Sequence, residues 1–367
     1  MVLLSYIQAA CQKPSTLLFR YLCSMEGRTE IGSLGEFGLI RRLTENFPRH
    51  HSATLFGVGD DAAVLVNGTD ATVITTDMLT EGVHFNLMYT PLKHLGYKAV
   101  MVNLSDICAM NAVPEQITVS VAISNRFSVE AMDELYDGIR LACENYRVDL
   151  IGGDTTSSMG GLVLSITAIG RAKTDDLAYR STANDGDLIV VSGDLGGAYM
   201  GLQVLEREKH VYMESPGAQP QLDGYDYILE RQLKPEARVD AIRHLAEIKV
   251  KPTSMIDVSD GLASEVLHLC TESRLGCRLF EDKLPIDQMT FDAAQEFNLD
   301  PTTCALNGGE DYELLFTVAP SDYEKLKGDP HFTVIGHMRE AGEGCTLCPR
   351  NGDDIVLKAQ GWDAFRD

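Results

Sequence analysis

Acidic residues recur in this chain at the points where apolar runs stop. Gly59-Asp60-Asp61, Thr75-Thr76-Asp77, Gly152-Gly153-Asp154-Thr155 and Asp257-Val258-Ser259-Asp260-Gly261 each adjoin a β-like segment. A fifth acid, Asp106, lies in Asn103-Leu104-Ser105-Asp106, inside an otherwise apolar helical stretch. Carboxylates at strand ends face the clefts where α/β folds bind ligands. Oxygen donors of this kind suit hard cations such as Mg2+, which take one or two carboxylates together with water and substrate phosphates. Each motif alone also reads as a turn, because Asp and Gly dominate turns. Five in one chain favour a shared metal site. The usual phosphate cradles are missing. No Gly-Lys dipeptide occurs, which excludes a P-loop, and there is no protein-kinase catalytic-loop signature. Gly57-Val58-Gly59-Asp60-Asp61-Ala62 loosely fits a dinucleotide fingerprint but leads into a strand where that motif requires a helix.

The elements that must position these acids are legible from periodicity. Residues 36–47 carry apolar positions at Phe37, Leu39, Ile40 and Leu43, a short amphipathic helix stopped by Pro48. Strands are predicted at 55–58, 63–66 and 72–76, with Asn67-Gly68 marking a tight hairpin between the last two. A helix over 95–110, a strand over 116–123, a helix over 129–145 and a buried strand over 162–170 complete a first half. The second half has a strand at 188–192, a helix at 198–208, a polar loop at 209–227, a helix at 237–247, a strand at 254–258 and a helix at 262–273. Strands at 313–318 and 332–335 close the series. Mixed strands and helices in both halves predict an α/β or α+β pair of domains, divided as 35–175 and 176–367, with residues 1–34 an accessory tail or an over-called start.

Composition narrows the function classes. The 367 residues exceed one ordinary core. The formal net charge of −23 argues against nucleic acid or an anionic membrane as partner, though not against phosphorylated substrates bridged by divalent cations. No apolar run reaches the roughly 18 residues of a membrane span. Nine cysteines without regular spacing suit a reducing cytoplasm. The one close pair, Cys345-Thr346-Leu347-Cys348, lacks the second pair or the histidines of a structural zinc site and reads as a turn beside a strand. Residues 1–10 are apolar but lack a basic start, so they do not read as a signal.

From Gly35 onward the chain resembles the aminoimidazole-ribotide-synthetase superfamily and, within it, the thiamine-monophosphate kinases. The resemblance rests on Gly35-Glu36-Phe37, Gly57 to Ala63, Thr75-Thr76-Asp77 with Gly82-Val83-His84, Lys98-Ala99 through Asp106, Leu150 to Thr155, Ile256 to Leu262 and Gly308 to Leu315. It implies the superfamily's two-domain fold, with an N-terminal sheet domain that pairs in a homodimer and a C-terminal α/β domain that completes the site. It implies an ATP-dependent phosphotransferase acting on thiamine monophosphate in the cytoplasm, with several Mg2+ ions. Asp61, Thr75, Thr76, Asp77, Asp106, Asp154, Asp257 and Asp260 match the metal set, and Asp60 is taken with them. Gly153, Arg180 and Ser259 match nucleotide contacts, with Asp154 and Tyr146 assigned beside them. His84, Glu310 and Trp362 match the thiamine-phosphate side.

That chemistry needs no strong general base. The nucleophile is a substrate phosphate oxygen, already anionic at neutral pH, and phosphoryl transfer chiefly requires in-line positioning and charge neutralisation. Competing readings are another ATP-dependent enzyme of the superfamily (aminoimidazole-ribotide synthetase, selenophosphate synthetase or a hydrogenase-maturation factor) and a non-catalytic nucleotide-binding regulator. Within the first, selenophosphate synthetases carry an early reactive cysteine and maturation factors a terminal one, whereas here Cys11 and Cys23 lie outside the patterned region and the last residues are Trp362 to Asp367. Retention of the acidic set argues against the second.

Overall fold

Two sheets and the helices between them hold the acidic segments. The computed structural model describes residues 33–361. Predicted features on residues 1–32 and on Trp362 lie outside the described residues. The chain divides into two units, Met1–Phe47 with Asp363–Asp367, and Pro48–Trp362. The described part of the first carries α1, Gly35–Thr44. Everything below concerns the second.

The first sheet has six strands: β1 Thr54–Phe56, β2 Ala63–Asn67, β3 Asp70–Thr80, β4 Val113–Ile123, β5 Asp149–Ser157 and β6 Val163–Lys173. Their order is β1-β2-β3-β6-β4-β5, antiparallel except for the parallel pair β4–β5. A parallel pair needs a crossover, and α3, Val129–Tyr146, provides it. Alternate residues of β3, β4 and β6 are buried, among them Val73, Val119, Val121, Leu164 and Ile166. That period of two gives the sheet one core face and one outward face.

Helix α2, Leu92–Ala109, packs on the core face and is apolar nearly all round. It crosses α3 closely enough that a Cβ at Gly96 would stand 2.0 Å from the Leu135 carbonyl oxygen, and one at Gly138 only 1.9 Å from that of Lys93. Only glycine at both positions permits the contact.

The second sheet contains β7 Leu188–Ser192, β8 Ser254–Asp257, β9 Leu275–Phe280, β10 Leu314–Val318, β11 Phe332–Glu340, β12 Cys345–Cys348 and β13 Ile355–Val356. Its order is β13-β12-β9-β11-β7-β10-β8. One face (Val190, Met255, Leu314, Phe316) joins the core that holds α2 and the first sheet. The other (Ile189, Val191, Ile256, Leu315) packs on α7, Leu262–Ser273. Helices α4 Gly197–Glu214, α5 Asp226–Leu233, α6 Val239–Glu247, α8 Gln288–Glu296, α9 Pro301–Asn307 and α10 Tyr323–Leu326 complete this part. Among the described residues no helix is long and apolar enough to cross a membrane.

Several expectations need correction. The predicted loop from 209 is helical through Glu214, because nothing breaks the helix before Pro216 restricts Ser215. β5, β9, α5, α8, α9 and β13 carry no clear periodicity and were not expected. β11 continues past Ile335 through a register shift between Val334 and Gly336, a bulge that lets the strand bend and go on. Cys345–Cys348 is itself a strand, not a turn.

Candidate active site

Helix α2 stands between the two sheets and collects acids from both. Thr75 and Asp77 alternate toward it from β3. The Thr75 hydroxyl donates to Asp106 Oδ2 at 2.6 Å, and the Asp77 amide donates to Asn103 Oδ1 at 2.9 Å. From the other side Ser105 donates to Oδ2 of Asp257, the last residue of β8, at 2.6 Å. Asp61 arrives from the loop that opens β2. Carboxylate oxygens of Asp61, Asp106 and Asp257 all lie within 4.8 Å of one another.

Charge in this cluster is unbalanced. Among the described contacts a single cation answers it: Arg180 grips Asp61 with both arms, Nε to Oδ2 at 3.0 Å and Nη2 to Oδ1 at 2.5 Å. Its backbone amide also donates to Asp60 at 3.2 Å. Burial first, then the neighbouring acids, push Asp257 up to about 7. Burial and the Asp61 charge do the same for Asp60, also to about 7. Asp106 is held well above the ordinary carboxylate range by burial and by Asp77, Asp257 and Asp61. Such a cluster is strained by repulsion until a cation enters it. Hard, close, oxygen-only donors with surplus negative charge fit Mg2+.

A second group of residues faces this site from the Gly308–Leu315 motif. Glu310 pairs with the buried Lys98 at 2.9 Å and accepts from Gln232 Nε2 at 2.7 Å. His84 lies within electrostatic reach of Glu310, and burial lowers its pKa below the ordinary 6.5 despite that acid. Its Nδ1 accepts from the Thr80 amide at 3.1 Å, which leaves the proton of the neutral ring on Nε2, a donor. Lys98 and Gln232 were not singled out as site residues from sequence. Lys98 sits in a helix so apolar that a lysine there, two turns from Ser105, was itself the signal.

The same motif contains two acids with different work. Asp311 accepts from the Gly196 and Ala198 amides at 2.7 and 3.2 Å, closing the N-terminus of α4. Glu313 is bound by Arg231 at 3.0 Å, by Arg238 and by the Ser192 hydroxyl at 2.5 Å.

Not every expected residue joins the carboxylate cluster. The Thr76 hydroxyl donates to the Ile166 carbonyl at 3.0 Å from the outward face of the first sheet. Asp154 lies on β5 beside Ser120 and is exposed. Gly153 precedes it where a Cβ would come within 1.8 Å of the Val119 carbonyl oxygen, so β4 and β5 can pair there only around glycine. Tyr146 is held elsewhere: its hydroxyl donates to Glu236 at 2.6 Å, beside a cavity of about 700 Å3 whose lining includes Arg147, Arg238 and Arg243. Ser259 and Asp260 form the loop between β8 and α7. The Ser259 carbonyl accepts from the Glu310 amide at 2.6 Å, and the Asp260 amide donates to Glu265 at 3.0 Å. That loop therefore links the carboxylate cluster to the Glu310 side.

This architecture matches a known class. The family described as AIR synthase related protein, N-terminal domain, matches residues 59–172, and the corresponding C-terminal domain matches residues 184–345. Thiamine-monophosphate kinase of Bacillus subtilis (strain 168) is 33% identical over 342 residues, covering 91% of this chain and 100% of the relative. That of Escherichia coli (strain K12) is 34% identical over 350 residues, covering 90% and 98%. A solved structure, "AaThiL complexed with AMPPCP and TMP", is similar with a TM-score of 0.77 at 30% identity, over 93% of this chain and 100% of that one. The chain belongs to the thiamine-monophosphate kinase family of AIR synthase related proteins, as its motifs implied.

Proposed function

We propose that the chain transfers the γ-phosphoryl group of ATP directly to the phosphate of thiamine monophosphate, releasing ADP and thiamine diphosphate. The observation that carries this reading is the convergence of Asp61, Asp106 and Asp257, with one arginine, from three distant segments. The relatives' shared name and the AMPPCP and TMP of the solved neighbour support it from outside the chain.

Residue roles are drawn from placement and from the family resemblance together. Asp61, Asp106 and Asp257, with Thr75 and Asp77 against them, would hold Mg2+. Asp60 and Asp260 are proposed to complete the donor set, together with Thr76 and Asp154, which lie outside the carboxylate cluster and are proposed on the family resemblance alone. Mg2+, when bound, supplies neutralisation of phosphate oxygens without proton transfer. Arg180, Gly153, Asp154 and Ser259 are proposed to contact ATP, with Tyr146 beside them. His84 would donate from Nε2 to the acceptor substrate, and Glu310, fixed by Lys98 and Gln232, would orient it, with Trp362 on the same side. The attacking phosphate oxygen is anionic at neutral pH, so the chain's task is to align two polyanions and balance their charge. Incubation with ATP, Mg2+ and thiamine monophosphate, followed by chromatography, should yield thiamine diphosphate. ATP consumption without that product would sink the substrate assignment.

We also infer a homodimer through the first sheet. β5 is exposed along its whole length, and Leu150, Ile151 and Met78 are 47%, 57% and 59% exposed. An unpaired edge with apolar residues on it is normally covered. Sedimentation at micromolar concentration should give about twice 40.3 kDa. A fully active single species at 40.3 kDa would contradict it. The free thiols and the substrate class support a cytoplasmic setting.

A further inference from the structure

Three cysteines that no motif connects meet at the far end of the second sheet. Cys270 sits in the last turn of α7, Cys277 on β9 and Cys345 at the start of β12. β9 and β12 run parallel with Cys277 and Cys345 directly paired. Cys270 reaches them from the helix packed beneath, and the three sulfur atoms all lie within 4.8 Å of one another. Cys277 is fully buried and Cys270 nearly so, whereas Cys345 is half-buried. The other described cysteines, Cys108, Cys143, Cys304 and Cys348, are not part of the group. Cys348, the sequence neighbour of Cys345, is instead approached by Arg278 at 3.5 Å.

Three isolated thiols at such a distance would serve only as small apolar side chains. Two further features point to a ligand-holding role. Arg339 lies across β12, donating to the Gly344 carbonyl at 3.1 Å and to the Thr346 hydroxyl at 2.8 Å. Its charge therefore flanks Cys345. The geometry also fits. Three thiolates about a cation at roughly 2.3 Å each stand about 4.0 Å apart in a plane and closer in a pyramid, inside the observed limit.

We propose that Cys270, Cys277 and Cys345 form a three-thiolate site for a thiophilic divalent cation of the zinc class, with a fourth position open on the Cys345 side. Binding replaces the thiol protons, which leave to solvent, with metal–sulfur bonds, and no electron changes hands. Three thiolates, one divalent ion and Arg339 sum to zero charge. The site is remote from the carboxylate cluster: β9 and the Asp257 strand, β8, are separated by β11, β7 and β10, about 19 Å at the usual strand spacing. Hard and soft sites therefore coexist without sharing a ligand.

The test uses the full-length reduced protein under anaerobic conditions, with excess Mg2+ present to saturate oxygen ligands. Cd2+ serves as the spectroscopic probe, followed by its thiolate charge-transfer absorbance. The band should saturate at one equivalent, collapse on adding Zn2+, survive in Cys348→Ser, and be lost in Cys345→Ser and Cys270→Ala. Mg2+-dependent ATP turnover of Cys345→Ser should stay within twofold of the parent, which checks its fold independently; if it does not, Cys270→Ala carries the comparison. Absence of a one-equivalent band, its persistence in Cys345→Ser and Cys270→Ala, or equal loss in Cys348→Ser would overturn the site.

Discussion

Two of the buried charge groups among the described residues are built on opposite principles. Around α2, Asp60, Asp61, Asp106 and Asp257 face one guanidinium, that of Arg180. Around β10 and α4, Glu313 and Asp311 face two, those of Arg231 and Arg238. In the second group each acid has a guanidinium to answer it, which suits a structural role. The first is left in deficit, as the proposed cation site requires. Buried charge is thus no sign of function by itself; its imbalance is. Both groups come from acid-rich motifs that look alike in the sequence.

The sharpest way to break this contrast is Glu313→Gln. Two buried guanidinium groups would lose their common carboxylate, and removing one partner of such a network costs about 3–5 kcal/mol. Denaturant melts should register that loss equally with and without Mg2+. A cost below about 1 kcal/mol would mean the balanced group is not holding the fold.

Asp257→Asn should do the reverse. Removing one of the crowded carboxylates relieves repulsion, so the metal-free protein should melt no lower than the parent. Turnover at saturating Mg2+ should nevertheless fall about a hundredfold or more, as for loss of a preorganised charge-stabilising group. Near-normal turnover, or a melting temperature several degrees lower in chelator, would remove Asp257 from the cation site.

The pH profile separates the groups further. An aspartate held near 7 in the folded chain, against 3.8 ordinarily, is protonated between those values while the unfolded chain is ionised. The folded state then binds more protons, so metal-free stability should fall as pH rises from about 4 to about 7, with the whole penalty present above that window. Saturating Mg2+ should flatten most of this slope. Asp311, pushed up to about 7 by burial despite Arg231, belongs to the balanced group, and its share of the slope should remain with Mg2+ present. A slope indifferent to Mg2+ would contradict the assignment.

A half-buried pair near the surface provides the smallest effect. His244 Nε2 contacts Asp329 Oδ2 at 2.6 Å, and that hydrogen bond raises the His244 pKa above its ordinary 6.5. A raised histidine stabilises fully below its unfolded value, and the contribution is lost as pH rises through the folded one. His244→Gln should lower the melting temperature by only about 1–2 °C at pH 6 and by less at pH 8. A drop of many degrees would show that surface pairs rival the buried network.

Much of this was readable before any fold was known. The apolar runs at Leu188–Ser192 and Leu262–Ser273 each became an element with those bounds, and the acidic motif before the second brings Asp257 to the carboxylate cluster. Strand β5 was not readable, because Asp149–Ser157 is exposed throughout and has no apolar alternation to betray it. Nor could local pattern separate Glu310 from Asp311 and Glu313, which only the family resemblance did; their side chains meet different partners. Local pattern determines whether a segment is helix or strand, because periodicity is a property of neighbours. Which face a residue presents, and which distant residue meets it, depends on register and on long-range packing. That is why Asp77 and Thr76, one residue apart, lie on opposite faces of a sheet, and why Cys345 finds Cys270 and Cys277 rather than Cys348.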